Sequence, residues 1–420
     1  MLNTYNHNGK RFLFDPETAF WAIIDDAREL KLVKDFLTDR EDVLKKELDK
    51  YRFEVKPETV YINVTDLCNS ECPYCYIPEE VRRRGRTMKR DELFEILSRL
   101  EGNVKWVVFH GSEPLIAKDL VFEAIEEFKF NYGIQTNAKL LEKEDMDFLI
   151  DRKVNVGISL DSPHRETNDI TRGKGQFDCA VKAIEYMKGY KKLSVITTIN
   201  RFNYHHLSDM IDFLAGKVRL VLMNPVRGTS EGGRKLMADP DRSAEEFVKA
   251  CKTAINHTKN GNRIVIGDFA NIILGFIAPT SRVLQCDISP CGGGRRFLAI
   301  STEGIYPCSE FIGVKEFRTE LKTDTFNITE IMVCFQELRN RTVEKIEECR
   351  ECSFRHICGS PCPAEVFSMY GNLLTKSPSC NFYKKVIEFA IQTIIRGEHR
   401  YVINEDSLKV KYDISTNQTQ

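Results

Sequence analysis

The chain has 420 residues, of which 42% are hydrophobic and 29% charged, and its formal net charge is -1. That length suits two or three domains, or one α/β barrel with additions, and the charge balance offers no basic excess for nucleic acid. No apolar run reaches membrane-span length and the start, Met1-Leu-Asn-Thr-Tyr-Asn, lacks a signal peptide, so a cytoplasmic protein without a membrane or nucleic-acid partner is expected.

Residues 1–55 read as a small α+β module. Arg11–Ile24 suggests two short strands around a proline-containing turn, and a charged helical pattern runs from about Asp26 to Tyr51. From Thr59 onward six apolar strands alternate with amphipathic helices: Val60–Val64, Trp106–Phe109, Gly133–Thr136, Val154–Leu160, Leu193–Ile199 and Val218–Leu222. Repeated β-α units of this kind argue for a parallel sheet over residues 56–278, open or curved into a barrel. The polar, glycine-bearing and cysteine-bearing segments follow the carboxyl ends of these strands, where parallel barrels place their active sites.

The texture changes over residues 279–385. The loop Cys286–Gly294 precedes a hairpin of Phe297–Ile300 and Ile305–Tyr306, then a helix near Ile328–Arg341 and a cysteine-dense loop. Residues 386–420 continue a closing helix, near Tyr383–Arg396, into a polar tail expected to fray.

Fourteen cysteines in a reducing compartment are not expected to form disulfides, and their clustering favours metal ligation. Cys68, Cys72 and Cys75 form a C-x3-C-x2-C run directly after the first of the six strands. Three thiolates can hold three irons of a cubane and leave the fourth open, whereas electron-transfer clusters are usually closed by four. A structural zinc would want a fourth ligand nearby, and no other histidine or cysteine lies within thirty residues. A redox pair made of Cys72 and Cys75 would leave Cys68 unexplained.

This run resembles the cluster loop of radical S-adenosylmethionine (SAM) enzymes, a likeness that extends over about residues 56–385. The resemblance implies a partial (β/α)6 TIM barrel core with a small amino-terminal module and a cysteine-rich carboxyl-terminal extension. It also implies a 4Fe-4S cluster whose open iron is chelated by SAM. One electron, from a donor such as a flavodoxin or ferredoxin, would then release a 5′-deoxyadenosyl radical that abstracts hydrogen from substrate.

Further segments fit the same family. Phe109-His-Gly-Ser-Glu-Pro-Leu115 resembles its Gly-Gly-Glu-Pro motif, with Ser112 in place of the second glycine and Pro114 closing the motif. Gly111 would permit close backbone approach and Glu113 would accept from the SAM ammonium. Tyr74, Asn137 in Gln135-Thr-Asn-Ala138, Ser159 on the ribose and Asp161 would complete the pocket, and Arg172 would pair with the SAM carboxylate.

Cys349, Cys352, Cys358 and Cys362 follow a C-x2-C-x5-C-x3-C spacing; Cys380 lies beyond, and Cys286, Cys291 and Cys308 upstream. Eight cysteines can close two four-iron clusters, although spacing alone leaves a zinc ribbon open. Here the chain resembles the SPASM extension, which implies one auxiliary cluster on Cys286, Cys291, Cys308 and Cys362. The second would sit on Cys349, Cys352, Cys358 and Cys380. Cys179, Cys251 and Cys334 read as buried structural thiols.

SPASM enzymes mostly modify peptides or proteins, so the resemblance implies a peptide maturase that forms a thioether or carbon–carbon cross-link or oxidises a residue. The amino-terminal module would be a leader-peptide-binding element or a barrel cap. A sulfatase-type maturase, oxidising Cys or Ser, would carry an aspartate after the hairpin cysteine, where this chain has Cys308-Ser309-Glu310. Glu310 is then the candidate proton acceptor, an exposed carboxylate being the plainer reading. A porphyrin-tailoring enzyme and a non-catalytic iron–sulfur electron carrier are the remaining alternatives.

Overall fold

The computed structural model describes residues 2–322, 325–404 and 408; the tail expected to fray lies outside them. Three antiparallel strands, β1 (Asn3–His7), β2 (Lys10–Asp15) and β3 (Phe20–Ile24), open the chain. β2 and β3 match the sequence expectation. β1 carries no such signal, because its mostly polar residues become a strand only by pairing with β2 (Tyr5 opposite Phe12). The following helix, Ala27–Phe53, starts where Asp26 caps it, its side chain accepting from the amides of Arg28 and Glu29. Phe12 and Phe14 are fully buried and meet Phe276 edge-on at 5.5 and 5.1 Å, which docks the module on the rest of the chain.

All six expected strands form: β4 (Thr59–Asn63), β5 (Trp106–Phe109), β6 (Asn131–Thr136), β7 (Asn155–Ser159), β8 (Leu193–Ile199) and β9 (Leu220–Pro225). They pair in parallel, each with the next. Beyond them lie β10 (Val265–Ile266), β11 (Phe297–Ser301) and β12 (Gly304–Tyr306), in the open order β10-β9-β8-β7-β6-β5-β4-β11-β12. Helices cover the outer face. Leu93, Ile96, Leu97 and Leu100 of the helix Arg90–Leu100 are fully buried, each worth roughly 1.5–3 kcal/mol. Such packing fixes the strand ends from which the cysteine loop and the pocket segments emerge.

Two features differ from the sequence reading. The hairpin placed in the extension belongs to the core sheet, because β11 pairs in parallel with β4 from Phe297 opposite Thr59 to Ser301 opposite Asn63. A pairing across that separation has no local signature. The helix expected over Ile328–Arg341 is two short ones, Ile328–Cys334 and Gln336–Arg339. The break falls at Phe335, whose side chain is buried against Gly294.

The extension is held by buried arginines that donate to backbone carbonyls. Arg282 reaches His356 O and Ile357 O at 3.2 and 2.8 Å, and Arg341 reaches Leu373 O at 2.6 Å. Gly359 sits where a Cβ would meet the backbone of Asp287 and Ile288 at 2.6–2.7 Å, so the later cysteine loop rests on the earlier one. The last long helix, Cys380–Ile395, lies against the helix Pro240–Lys259, with Phe382 meeting Phe247 at 5.3 Å. Among the described residues, no helix is long and apolar enough to cross a membrane.

Candidate functional site

The cysteine loop is anchored at both of its flanks by polar side chains. Asn63, the last residue of β4, accepts from the Ser112 amide at 3.0 Å, and Ser112 Oγ donates to Asp66 O at 2.8 Å. Asp66 in turn accepts from Thr302 Oγ1 at 2.6 Å. Gly111 has φ +120°, and a Cβ there would fall 2.1 Å from Asn63 Oδ1. The close approach expected at Gly111 is therefore to Asn63, and Ser112 is a fastener of the loop. Pro114 is buried at the start of the 3-10 turn Pro114–Ala117. Gly232 leaves room for Pro73 O, which would stand 1.7 Å from a Cβ.

Glu113 is 1% exposed. It accepts from Thr136 Oγ1 (2.8 Å), Leu115 N (3.1 Å) and Asn137 N (2.9 Å). A carboxylate offers about four acceptor positions, so about one remains, on Oε2. Burial pushes its carboxyl up to about 7 against those three hydrogen bonds. Asn137 donates to Asn69 Oδ1 at 2.7 Å and stands 4.0 Å from Cys68 Sγ. Gln176, which the sequence reading passed over, is fully buried and ties Asn137 O and Ser159 O together at 2.9 and 2.7 Å.

Asp161 is the hub on the other side. It accepts from the Tyr74 hydroxyl, Thr171 Oγ1 (3.0 Å), Thr198 N (3.0 Å) and Arg172 Nη2 (3.0 Å). Tyr74 and Asp161 thus spend their polar groups on each other and on the arginine. Arg172 lies over the Tyr74 ring at 5.3 Å and beside the Cys72 thiol, and its Nε is buried without a partner. A buried guanidinium N–H left unpaired costs stability unless an acceptor meets it. Its place beside the Cys72 thiol suits a carboxylate.

Burial pushes the Cys68 thiol up to about 11 and the Cys75 thiol up to about 12. Several of the later thiols lie near enough to raise one another. Cys308 is raised by burial and then by Cys362, Cys291 and Cys286, with Glu310 also contributing. Cys349 is raised by burial and by Cys380 and Cys352, and Cys358 by burial, Cys380 and Cys349 among others. Cys286 is exposed, and desolvation followed by Cys291 raises its thiol. Among the described residues, no three cysteine thiols lie within 4.8 Å of one another. Burial lowers the Arg341 guanidinium, which lies beside Cys291 and Cys362 of one group and Cys349 and Cys358 of the other. It sets a positive charge between them.

Of the three cysteines read as structural, Cys251 is buried, Cys179 is half-buried, and Cys334 is exposed, which corrects that reading. The helix Ile328–Cys334 buries Ile328 and Met332, and Cys334 is not on that face.

Between the first loop and the nearer auxiliary group lie residues the sequence did not single out. Tyr76 stacks on His110 with ring centroids 5.9 Å apart, and His110 Nδ1 is 3.2 Å from both Tyr76 Oη and Ser309 Oγ. Burial lowers His110 to about 4, so the ring is neutral. Glu310 is half-buried rather than exposed, and its Oε2 is buried without a partner. Burial raises its carboxyl to about 7, opposed by Arg227 and helped by Glu365. One apolar cluster, including Ile77, Tyr306 and Phe311, touches Cys75, Cys308 and Cys362, which joins the two cysteine regions.

A family model described as the Radical SAM superfamily matches residues 62–214. An uncharacterised protein of Archaeoglobus fulgidus is 53% identical over 415 residues, 99% of each chain. The PqqA peptide cyclase of Bradyrhizobium diazoefficiens is 26% identical over 342 residues, 77% of this chain and 86% of its own. The solved structure of native anSMEcpe with bound AdoMet and Cp18Cys peptide is similar in fold. It has a TM-score of 0.69 at 20% identity and covers 82% of this chain and 99% of that one.

Proposed function

The chain belongs to the radical SAM superfamily, and from that premise we propose that it is a maturase that modifies a peptide or protein substrate. A 4Fe-4S cluster and SAM are its cofactors, and together they supply a 5′-deoxyadenosyl radical for hydrogen abstraction. The observation that carries the reading is the three-thiol loop beside the buried, unpartnered Nε of Arg172. Cys68, Cys72 and Cys75 would hold the cluster. Arg172 would take the SAM carboxylate and the remaining acceptor position of Glu113 its ammonium, while Asn137, Ser159 and Asp161 shape the pocket.

Cys286, Cys291, Cys308 and Cys362 would hold one auxiliary cluster, and Cys349, Cys352, Cys358 and Cys380 a second. A peptide substrate is supported by the likeness to a peptide cyclase and to a structure that binds a peptide. Glu310, with an unpartnered oxygen beside the first auxiliary group, would accept the proton released as the substrate is modified. Ser309 stands where the sulfatase-type reading wants an aspartate, and it is engaged with His110. A cross-link or an oxidation other than that one fits better. We place the reaction in the cytoplasm, with a flavodoxin or ferredoxin as electron donor.

The test uses the iron-loaded protein, SAM, a reductant and deuterated peptides encoded beside its gene. Deuterium should appear in 5′-deoxyadenosine together with a mass change in one peptide. Turnover of SAM with no transfer from any of them would remove the peptide reading and leave the family intact.

A further inference from the structure

Two loops on the rim of the same barrel face carry ligand-type side chains that the chemistry above does not use. His164 lies in the loop after β7, His206 ends the 3-10 turn Tyr204–His206 after β8, and Asp209 is in the first turn of the helix Leu207–Leu214. Among the described residues, they are the one group of three His, Cys, Asp or Glu side chains with ligand atoms all within 4.8 Å of one another.

The separations are informative. Asp209 Oδ2 is 3.2 Å from His206 Nδ1 and 3.5 Å from His164 Nε2. A tetrahedral zinc with bonds of ~2.0 Å holds its ligand atoms about 3.3 Å apart, so both distances match an edge of that tetrahedron. The longer one is poor for a hydrogen bond. The two imidazoles meet edge to face, with centroids 4.4 Å apart and planes at 68°. Two imidazoles and a carboxylate suit a borderline divalent cation such as zinc, and no thiol is involved.

We propose that His164, His206 and Asp209 bind a divalent cation of the zinc class, with water as the fourth ligand, and that the ion staples the two loops together. The staple has a consequence for the SAM pocket. His164 follows Asp161 by three residues, and Asn203, three before His206, donates to Asp161 O at 2.7 Å. Both stapled loops therefore set the position of the carboxylate that holds Arg172.

The test is metal counting on the fully iron-loaded protein after equilibration with zinc and desalting. Wild type should retain about one zinc per chain, as one tetrahedral site requires. H164A/H206A should retain none while keeping its iron. H257A, which removes a half-buried histidine on another helix, should retain the zinc. Added zinc should also raise the thermal midpoint of wild type and leave that of H164A/H206A unmoved. Equal zinc in wild type and H164A/H206A, or no zinc retained by wild type, overturns the proposal. The protein's own iron content shows in each case that the variant has folded.

Discussion

The first three cysteines come from one short loop, whereas the eight candidate ligands of the extension come from segments spread between Cys286 and Cys380. The surroundings differ as much as the spacing. Asn63, Asp66, Ser112 and Asn137 fasten the first loop, and the buried Nε of Arg172 beside it has no protein partner. The extension is closed on itself by arginines clamped to carbonyls, with Arg341 between its two thiol groups. A centre with three thiols and a free guanidinium N–H can take a ligand. The two centres proposed for the extension, each closed by four thiols, would only pass electrons or abut a substrate, unless a thiol yielded its place.

That contrast can be broken by removing either half. Replacing Cys68, Cys72 and Cys75 together by alanine should abolish SAM cleavage and remove about a third of an iron content of about twelve, as three four-iron clusters require. Replacing Cys349 and Cys380 should leave 5′-deoxyadenosine formation and stop peptide modification. Equal loss of SAM cleavage in both would erase the distinction.

Glu310→Gln sharpens the extension's part. It should lower product formation by about 10²–10⁴-fold, the usual contribution of a general base, with 5′-deoxyadenosine still formed. Arg172→Lys does the same for the first loop, since an ammonium keeps the charge and loses the fork. The KM for SAM should rise at least about tenfold, matching the ~1.5–3 kcal/mol of a charged hydrogen bond, while any auxiliary-cluster spectrum stays unchanged. The smallest effect belongs to Ser112→Ala. Losing its 2.8 Å bond to Asp66 O should cost about 1 kcal/mol, seen as a small drop in thermal midpoint with cleavage retained.

The two regions were also unequally legible. Strands β4–β9 could be read because apolar runs bounded by turns report burial directly. The membership of β11 in that sheet could not, since it rests on pairing between residues near 60 and near 298. Cysteines announce themselves by spacing, whichever metal they hold. Asn63, Gln176, Tyr76 and His110 are ordinary residue types whose roles exist only once distant strand ends meet. Cys334 shows the converse, because a helical pattern broken at Phe335 misjudges which face turns inward.

The most direct test is anaerobic incubation of the iron-loaded protein with SAM and a strong reductant, read by mass spectrometry beside the Cys68/Cys72/Cys75 alanine variant. Wild type should give 5′-deoxyadenosine and methionine, and the variant neither. No 5′-deoxyadenosine from wild type with full iron content, or equal amounts from both proteins, would contradict the assignment of the three-thiol loop.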